Sequence, residues 1–269
     1  MTNHNKLNPV SVLNNTASQP DFGRTPLFSR LGVFFLVIGM IVAFFISQLI
    51  GIYVAGKWLL PAVKTATVGD VFLFGGNDGT VVSVSIIISC ALITVLSVLI
   101  LRLKTADVRQ YLALKPFSLA VGMGLLGVLI LFMIGSQVLT YVLDKSPLVF
   151  VDPLYQSVSS VWLLVFAMVI VAPIYEELVF RGILWSAIAE QFSAPSYSEQ
   201  RGALVASIIT SLIFAVIHLQ YGIYEISTIV VLALIFCYAR LKSGSLILPI
   251  LLHILNNGTA MWQYLSQVA

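Results

Sequence analysis

Apolar residues gather in seven long stretches separated by short polar segments. The stretches run approximately over residues 31–55, 80–103, 117–143, 158 into the 180s, 202–220, 224–239 and 245–265. A helix needs about 20 residues to cross roughly 30 Å of hydrocarbon, so each stretch predicts a membrane-spanning helix, with the sixth the shortest. Breakers such as Ser243 and Gly244 stand between them. The pattern predicts an all-α, polytopic transmembrane helix bundle of about seven spans, with eight as the alternative.

Composition and charge agree with a membrane location. Of the 269 residues, 59% are hydrophobic and only 9% are charged, whereas an ordinary soluble domain has about 25% charged residues. Alternate polar segments, counted from the N-terminus, hold 11 lysines and arginines, and the others hold 3. Because such residues favour the cytoplasmic side, we expect a cytoplasmic N-terminus. The net charge of +3 is scattered and forms no basic stripe, so we expect no nucleic-acid partner.

Three regions follow from this pattern. Residues 1–30 are polar and predict a disordered cytoplasmic tail. Residues 31–150 hold the first transmembrane helices and no chemical motif that we can match. Residues 151–269 hold the remaining helices together with an acidic pair and two histidines inside apolar stretches. We predict that this last region is the functional core.

Two adjacent carboxylates, Glu176 and Glu177, stand at the end of the apolar run Val161–Tyr175. A charged group inside a membrane costs roughly 2.5–3.5 kcal/mol on insertion scales, so such groups usually face a polar cavity and have a function. In a helix, Glu177 lies four residues before Arg181 on one face, which favours an ion pair. Glu176 points about 100° away and is a candidate general base facing a cavity. The alternative is a simple charge cluster at a cytoplasmic helix end.

Two later stretches each hold a histidine with a partner four residues away. Phe214 and His218 share one helix face, and His253 and Asn257 share another. An imidazole beside an amide is suited to donate hydrogen bonds to a developing oxyanion. The alternative for both histidines is polar packing between helices.

These polar groups can meet only if the fourth helix is long. At 1.5 Å per residue, His253 lies roughly 12 Å and His218 roughly 24 Å from the same end of the bundle. If the fourth helix continues to about Phe192, Glu176 lies roughly 24 Å from that end. A long, tilted fourth helix brings all of them toward one level, and we predict that helix.

The three motifs together resemble those of a known family. The pattern E-E-x-x-x-R followed by Gly182, then F-x-x-x-H, then H-x-x-x-N is similar to that of the CPBP family. This is the CAAX protease and bacteriocin-processing group of intramembrane glutamic endopeptidases, which includes the Ras-converting CAAX prenyl endopeptidases. The resemblance covers roughly residues 160–265, which makes residues 151–269 a CPBP-like catalytic core. The positions that it implies to be catalytic are Glu176, His218, His253 and Asn257. The positions that it implies to be supporting are Glu177, Arg181 and Phe214.

The resemblance implies hydrolysis of peptide bonds in membrane-embedded or membrane-tethered substrates. Glu176 would activate a water with help from His218, and His253 and Asn257 would form the oxyanion site. No cofactor is implied. Zinc is the alternative, because two histidines and a glutamate are common zinc ligands, although the chain has no H-E-x-x-H segment.

The same observations indicate where the protein is located and which other functions it could have. The polar tail carries no organellar targeting signal, so we expect a multi-pass protein of a bacterial cytoplasmic membrane. A non-enzymatic bacteriocin-immunity or scaffold protein is the first alternative. A proton-coupled carrier that uses Glu176 and His218 as a relay is the second, and it is disfavoured because the chain shows no internal repeat.

Overall fold

The computed structural model describes residues 25–60, 67–145, 149–193, 199–218 and 220–268. These residues form ten helices and no strand. The helices are α1 (Arg30–Leu59), α2 (Val68–Gly75), α3 (Gly79–Leu103), α4 (Val108–Tyr111), α5 (Leu119–Val142), α6 (Asp152–Ser157), α7 (Val161–Phe192), α8 (Glu199–Val216), α9 (Ile223–Ser243) and α10 (Ile247–Val268). The predicted tail lies outside the described residues up to residue 24.

All seven predicted spans are helical, which confirms the predicted polytopic helix bundle. Among the described residues, five helices are long and apolar enough to cross a membrane: α1, α3, α5, α7 and α9. The apolar part of α8 is shorter and covers Gln200–Val216. The second half of α10 contains polar residues, which include Asn256, Asn257 and Gln263. The membrane-crossing character of these two helices is therefore weaker than that of the other five.

The expectation that the sixth stretch is the shortest helix is wrong. α9 has 21 residues, whereas α8 has 18. The helix continues past the apolar run because Arg240 is buried inside the bundle, where its Nε donates to the Arg181 carbonyl at 3.3 Å. A charged residue ended the apolar pattern there without ending the helix.

The predicted long fourth helix is confirmed, because α7 extends over 32 residues. Two of its segments, Phe166–Val171 and Leu178–Leu184, are wound as π-helix. Pro173 follows the first of them and explains it, since proline lacks an N–H for the helical ladder and its ring crowds the preceding turn. The two wide segments lie on either side of Glu176 and Glu177. Wide turns of this kind occur frequently at functional sites.

α7 lies at the centre of the bundle. In its most apolar window 56% of the residues are buried, against 17–33% in the other four spans. α1 and α3 pack against each other and against α7. Gly51 allows the close approach of α1 to α3, because a Cβ at this position would lie 2.7 Å from the Ser85 carbonyl oxygen. Side chains on the inner face of α7 are consequently shielded from lipid.

The start of α10 is held in place by a tight link from α9. Gly244 ends α9 with a positive φ of 61° and donates its N–H to the Arg240 carbonyl at 3.1 Å, a conformation that glycine adopts without strain. Ser245 and Leu246 then bond to the segment before α5, the latter through a 3.0 Å bond from its N–H to the Ala113 carbonyl. These bonds fix where α10 enters the bundle and hence the position of His253.

Candidate active site

Glu177 is the centre of a buried ionic cluster. Its Oε1 accepts hydrogen bonds from Arg181 Nη1 at 2.8 Å and from His253 Nδ1 at 2.9 Å. The side chains of Glu177 and Arg181 are fully buried, and that of His253 is 5% exposed. The intrahelical pair predicted from the four-residue spacing is therefore present. His253 of α10 is a third member of this cluster, which the spacing did not predict.

Two aromatic rings and a backbone carbonyl complete the surroundings of Arg181. Its guanidinium carbon lies 4.6 Å from the ring centroid of Phe214 and 5.4 Å from that of Phe236. Its Nη2 donates to the Ala233 carbonyl at 3.0 Å. Phe236 also stacks on His253, with ring centroids 4.8 Å apart. A guanidinium is weakly hydrated and stacks well on aromatic faces, so this apolar site can hold its charge.

Glu176 lies at the edge of the cluster. Its Oε2 is 3.8 Å from His253 Nε2, and its side chain is 12% exposed. A separation of 3.8 Å exceeds that of a direct hydrogen bond, yet it lets one water molecule contact both atoms from the side. The two glutamates thus differ in their surroundings, because Glu177 is enclosed by cationic donors and Glu176 keeps an accessible oxygen.

The hydrogen on one nitrogen of His253 follows from its partner. His253 Nδ1 carries a hydrogen, because it faces the Glu177 carboxylate. Nε2, the nitrogen nearer to Glu176, accepts a hydrogen bond in the neutral ring and donates one in the protonated ring.

His218 follows the last turn of α8 and shares the Phe214 ring with His253. The ring centroid of Phe214 lies 4.7 Å from that of His218 and 5.9 Å from that of His253. His218 Nδ1 is 2.6 Å from the Phe214 carbonyl oxygen, which only accepts, so this nitrogen carries the hydrogen. In the neutral ring the other nitrogen, Nε2, is then an acceptor. His218 is suited to orient a water or take a proton from it.

Asn257 lies one helical turn beyond His253 and is linked to α7. Its Nδ2 donates to the Met168 carbonyl at 3.1 Å, and its Oδ1 accepts from Asn256 Nδ2 at 3.2 Å. Met168 belongs to the first π-helical segment of α7. An amide nitrogen carries two hydrogens, so one connects α10 to α7 and the second is left for another acceptor.

The structure brings most of the predicted site residues into one cluster. The residues that contact one another directly are Glu176, Glu177, Arg181, Phe214 and His253. His218 joins this cluster through the Phe214 ring, and Asn257 joins it through the backbone of α7. Their assigned roles in a reaction stay predictions.

Sequence reasoning missed two residues that shape this site, Phe236 and Arg240. Phe236 is an aromatic residue within an apolar stretch, and nothing in its local sequence marks it. Arg240 fits the pattern of a cytoplasmic positive residue, yet it is buried, with its guanidinium carbon 5.3 Å from the Trp185 ring centroid. Their spacing of four residues, which places both on one face of α9, was the available signal.

The zinc alternative concerns histidine, cysteine and carboxylate side chains. Among the described residues, no group of three or more histidine, cysteine, aspartate or glutamate side chains is placed to hold a metal ion. Glu177 Oε1 is already engaged by two N–H donors. The free cysteines, Cys90 and Cys237, belong to α3 and α9 and not to the cluster.

Comparison with known families identifies the segment that contains the cluster. Residues 158–259 match the model of the type II CAAX prenyl endopeptidase Rce1-like family. This confirms the family resemblance that the sequence motifs indicated. All seven predicted site residues fall within the matched segment.

One individual protein is also similar to this chain, over a segment about as long as the family match. An uncharacterized 24.3 kDa protein of Escherichia coli is 32% identical over 99 residues, which are 36% of this chain and 42% of that protein. The chain thus spans less than half the length of this relative. No solved structure matches the chain.

Proposed function

We propose that this protein, with its Rce1-like segment, is an intramembrane endopeptidase that hydrolyses membrane-tethered substrates with a glutamate-activated water. One observation carries the proposal: Glu176 Oε2 and His253 Nε2 lie 3.8 Å apart beside the enclosed pair of Glu177 and Arg181. This arrangement offers a base and an acid that face the same small space. The match of this segment to a family of CAAX prenyl endopeptidases supports the same activity.

In this mechanism Glu176 activates the attacking water. The mechanism starts from an ionised Glu176, which can act as a general base, and from a His253 that carries a hydrogen on Nε2. His218, with its Nε2 lone pair, orients the water. Glu176 takes one proton from the water as the water oxygen forms a bond to the carbonyl carbon of the peptide.

The carbonyl oxygen becomes an oxyanion as that bond forms. His253 Nε2–H and the second N–H of Asn257 donate to it, and one such donor stabilises the transition state by about 2.7–4 kcal/mol in comparable sites. The proton held by Glu176 then passes to the amide nitrogen, and the C–N bond breaks. The products are a carboxylic acid and an amine, so every atom of the water is accounted for.

Glu177 and Arg181 act on the reaction through His253. The bond from His253 Nδ1 to Glu177 fixes the orientation of the ring, as a buried carboxylate does for the histidine of a serine hydrolase. Arg181 keeps Glu177 ionised and in place. These two residues are positioning residues in this proposal.

We infer that the protein is a multi-pass protein of a bacterial cytoplasmic membrane with its N-terminus in the cytoplasm. The asymmetric distribution of lysine and arginine between alternate polar segments supports this orientation. Protease treatment of intact spheroplasts checks it, because an N-terminal tag should be protected. Digestion of the tag in sealed spheroplasts would contradict the orientation.

The deciding experiment compares wild type with Glu176→Gln in detergent, using a panel of membrane-tethered fluorogenic peptides. The substitution keeps the side-chain size and removes the base, so we expect at least about a 100-fold loss of kcat. Glu190→Gln is the matched control, because Glu190 lies on the same helix, outside the cluster, and bonds to the Leu27 N–H at 3.0 Å. It should keep wild-type kcat.

Two outcomes would overturn the proposal. Equal cleavage by wild type and Glu176→Gln would show that Glu176 is not the general base. Loss of cleavage on treatment with a chelator, restored by zinc, would replace it with a metal-activated water. For the immunity alternative, a Glu176→Gln protein that still protects cells in a bacteriocin challenge would show that this protection does not need catalysis.

A further inference from the structure

A groove with many polar side chains opens between α5, α9 and α10. Its cavity has a volume of about 190 Å³. Side chains from all three helices line it with hydroxyl, amide and carboxylate groups. Those used below are Gln137, Tyr221, Tyr224, Glu225, Asn256 and Gln263.

The polar side chains of this groove set it apart from the lipid-facing surface beside it. Polar side chains that face lipid must find partners or water, because hydrocarbon offers neither. On the same helix as Gln137, the neighbouring side chains Ile134 and Val138 are exposed and apolar, as a lipid-facing surface requires. The groove therefore differs from the lipid-facing surface, and its hydroxyl, amide and carboxylate groups can pair with a ligand that carries hydrogen-bonding groups.

Two residues that line the groove are neighbours of residues in the candidate active site. Asn256, which lines it, donates from Nδ2 to Asn257 Oδ1 at 3.2 Å. Tyr221, which also lines it, has its ring centroid 6.2 Å from that of His218. Two residues of the groove thus touch two residues of the proposed catalytic machinery. A chain held in the groove would pass close to His218 and Asn257.

A hydrogen bond joins two walls of the groove, and the one charged side chain in its lining is acidic. Tyr224 on α9 and Thr140 on α5 share a hydrogen bond of 2.7 Å, which fixes the two helices at this point. Glu225 is the one charged residue in the lining, and no lysine or arginine contributes to it. Within the described ranges, no ion pair joins Glu225 to a basic side chain. An anionic ligand such as a lipid phosphate would be repelled here.

We propose that this groove is a substrate subsite that binds the peptide segment next to the scissile bond and selects a lysine or arginine side chain through Glu225. The hydroxyl and amide side chains pair with the peptide backbone, and the Glu225 carboxylate pairs with the cationic head. The substrates are then peptides with a basic residue close to the cleaved bond. This inference rests on the proposed endopeptidase function.

The test measures kcat/KM of the full-length protein in detergent for tethered peptides that differ at one position. That position carries Lys, Gln or Glu, and it is moved in turn through each residue that flanks the cleaved bond. At one position we expect wild type to prefer Lys to Gln by about fivefold, as an ion pair of about 1 kcal/mol gives. The Glu peptide should be the poorest.

Two variants of Glu225 and one control complete the design. Glu225→Gln should bring the ratio of Lys to Gln peptides to about one while it still cleaves the Gln peptide. Glu225→Lys should reverse the preference toward Glu. Asp107→Asn is the control, because it removes the same charge at the N-terminus of α4, away from the groove, where the side chain accepts from the Gln110 N–H at 2.7 Å. It should keep the wild-type ratio.

The outcomes separate this inference from the proposed function. If Glu225→Gln still cleaves peptides and keeps the wild-type preference for Lys, the groove is not the selective subsite. The proposed endopeptidase function is unaffected by that result. If wild type cleaves none of the peptides, the proposed function fails, and the groove is tested by fluorescence anisotropy of the same labelled peptides. Tighter binding of the Lys peptide, lost in Glu225→Gln, then supports the groove, and equal binding overturns it.

Discussion

Removing the charge of Glu177 should destabilise the protein strongly. Glu177→Gln keeps the size of the side chain but leaves Arg181 fully buried without a counter-charge. Arg181 keeps its bond to the Ala233 carbonyl and its contact with the Phe214 ring, neither of which carries a full negative charge. The expected result is a loss of stability together with a loss of cleavage, because His253 loses its anionic partner.

The magnitude follows from the hydrogen bonds of Glu177 and from the cost of leaving a buried charge unpaired. The amide oxygen of a glutamine can still accept both hydrogen bonds that Glu177 accepts, but each loses its charge assistance, worth about 1–1.5 kcal/mol, which gives about 2–3 kcal/mol for the two. Breaking a buried ion pair by removing one partner costs about 3–5 kcal/mol. For a chain of this length such a change lowers the Tm by on the order of 10 °C.

Thermal unfolding in detergent, followed by tryptophan fluorescence, provides the assay. Glu225→Gln is the control, because it removes a carboxylate that has no ion-pair partner among the described residues, and its Tm should stay close to that of wild type. The double variant Glu177→Gln/Arg181→Met removes both charges and should be more stable than Glu177→Gln alone. A wild-type Tm for Glu177→Gln, or a double variant less stable than the single one, would refute the reasoning.

Two further predictions concern Asn257 and Tyr111. Asn257→Ala removes an oxyanion donor and the bond to the Met168 carbonyl, so kcat should fall by about 10²–10³-fold with a smaller change in KM; a variant with full kcat in the same peptide assay would contradict the assigned role. Burial raises the pKa of Tyr111, and its hydroxyl has no hydrogen-bond partner among the described residues, so Tyr111→Phe should leave stability unchanged or raise it by about 1 kcal/mol. Because the unfolded chain releases this proton above about pH 10 and the folded chain retains it, wild type should lose stability relative to Tyr111→Phe as the pH rises past that value. Unfolding curves at about pH 8 and about pH 11 check this, and a difference that does not grow at the higher pH would contradict it.

Local sequence patterns were sufficient to predict the helices and one contact in the candidate active site. The pair of Glu177 and Arg181 follows from a spacing of four residues on one helix, and the structure contains it at 2.8 Å. The length of α7 followed from the requirement that separate polar groups reach one level. The end of α9 was misjudged because an apolar pattern cannot distinguish a buried arginine from a solvated one.

The sequence by itself determined a polytopic helical membrane protein with two unlike glutamates, since helical periodicity and hydrophobicity act between near neighbours. Only the tertiary structure decided that His253 pairs with Glu177 across 76 residues and that Asn257 bonds to Met168 across 89. Such contacts depend on how helices pack, which is set by the shapes of many side chains at once. The same packing created the polar groove beside Asn256 and Tyr221, for which no local motif exists.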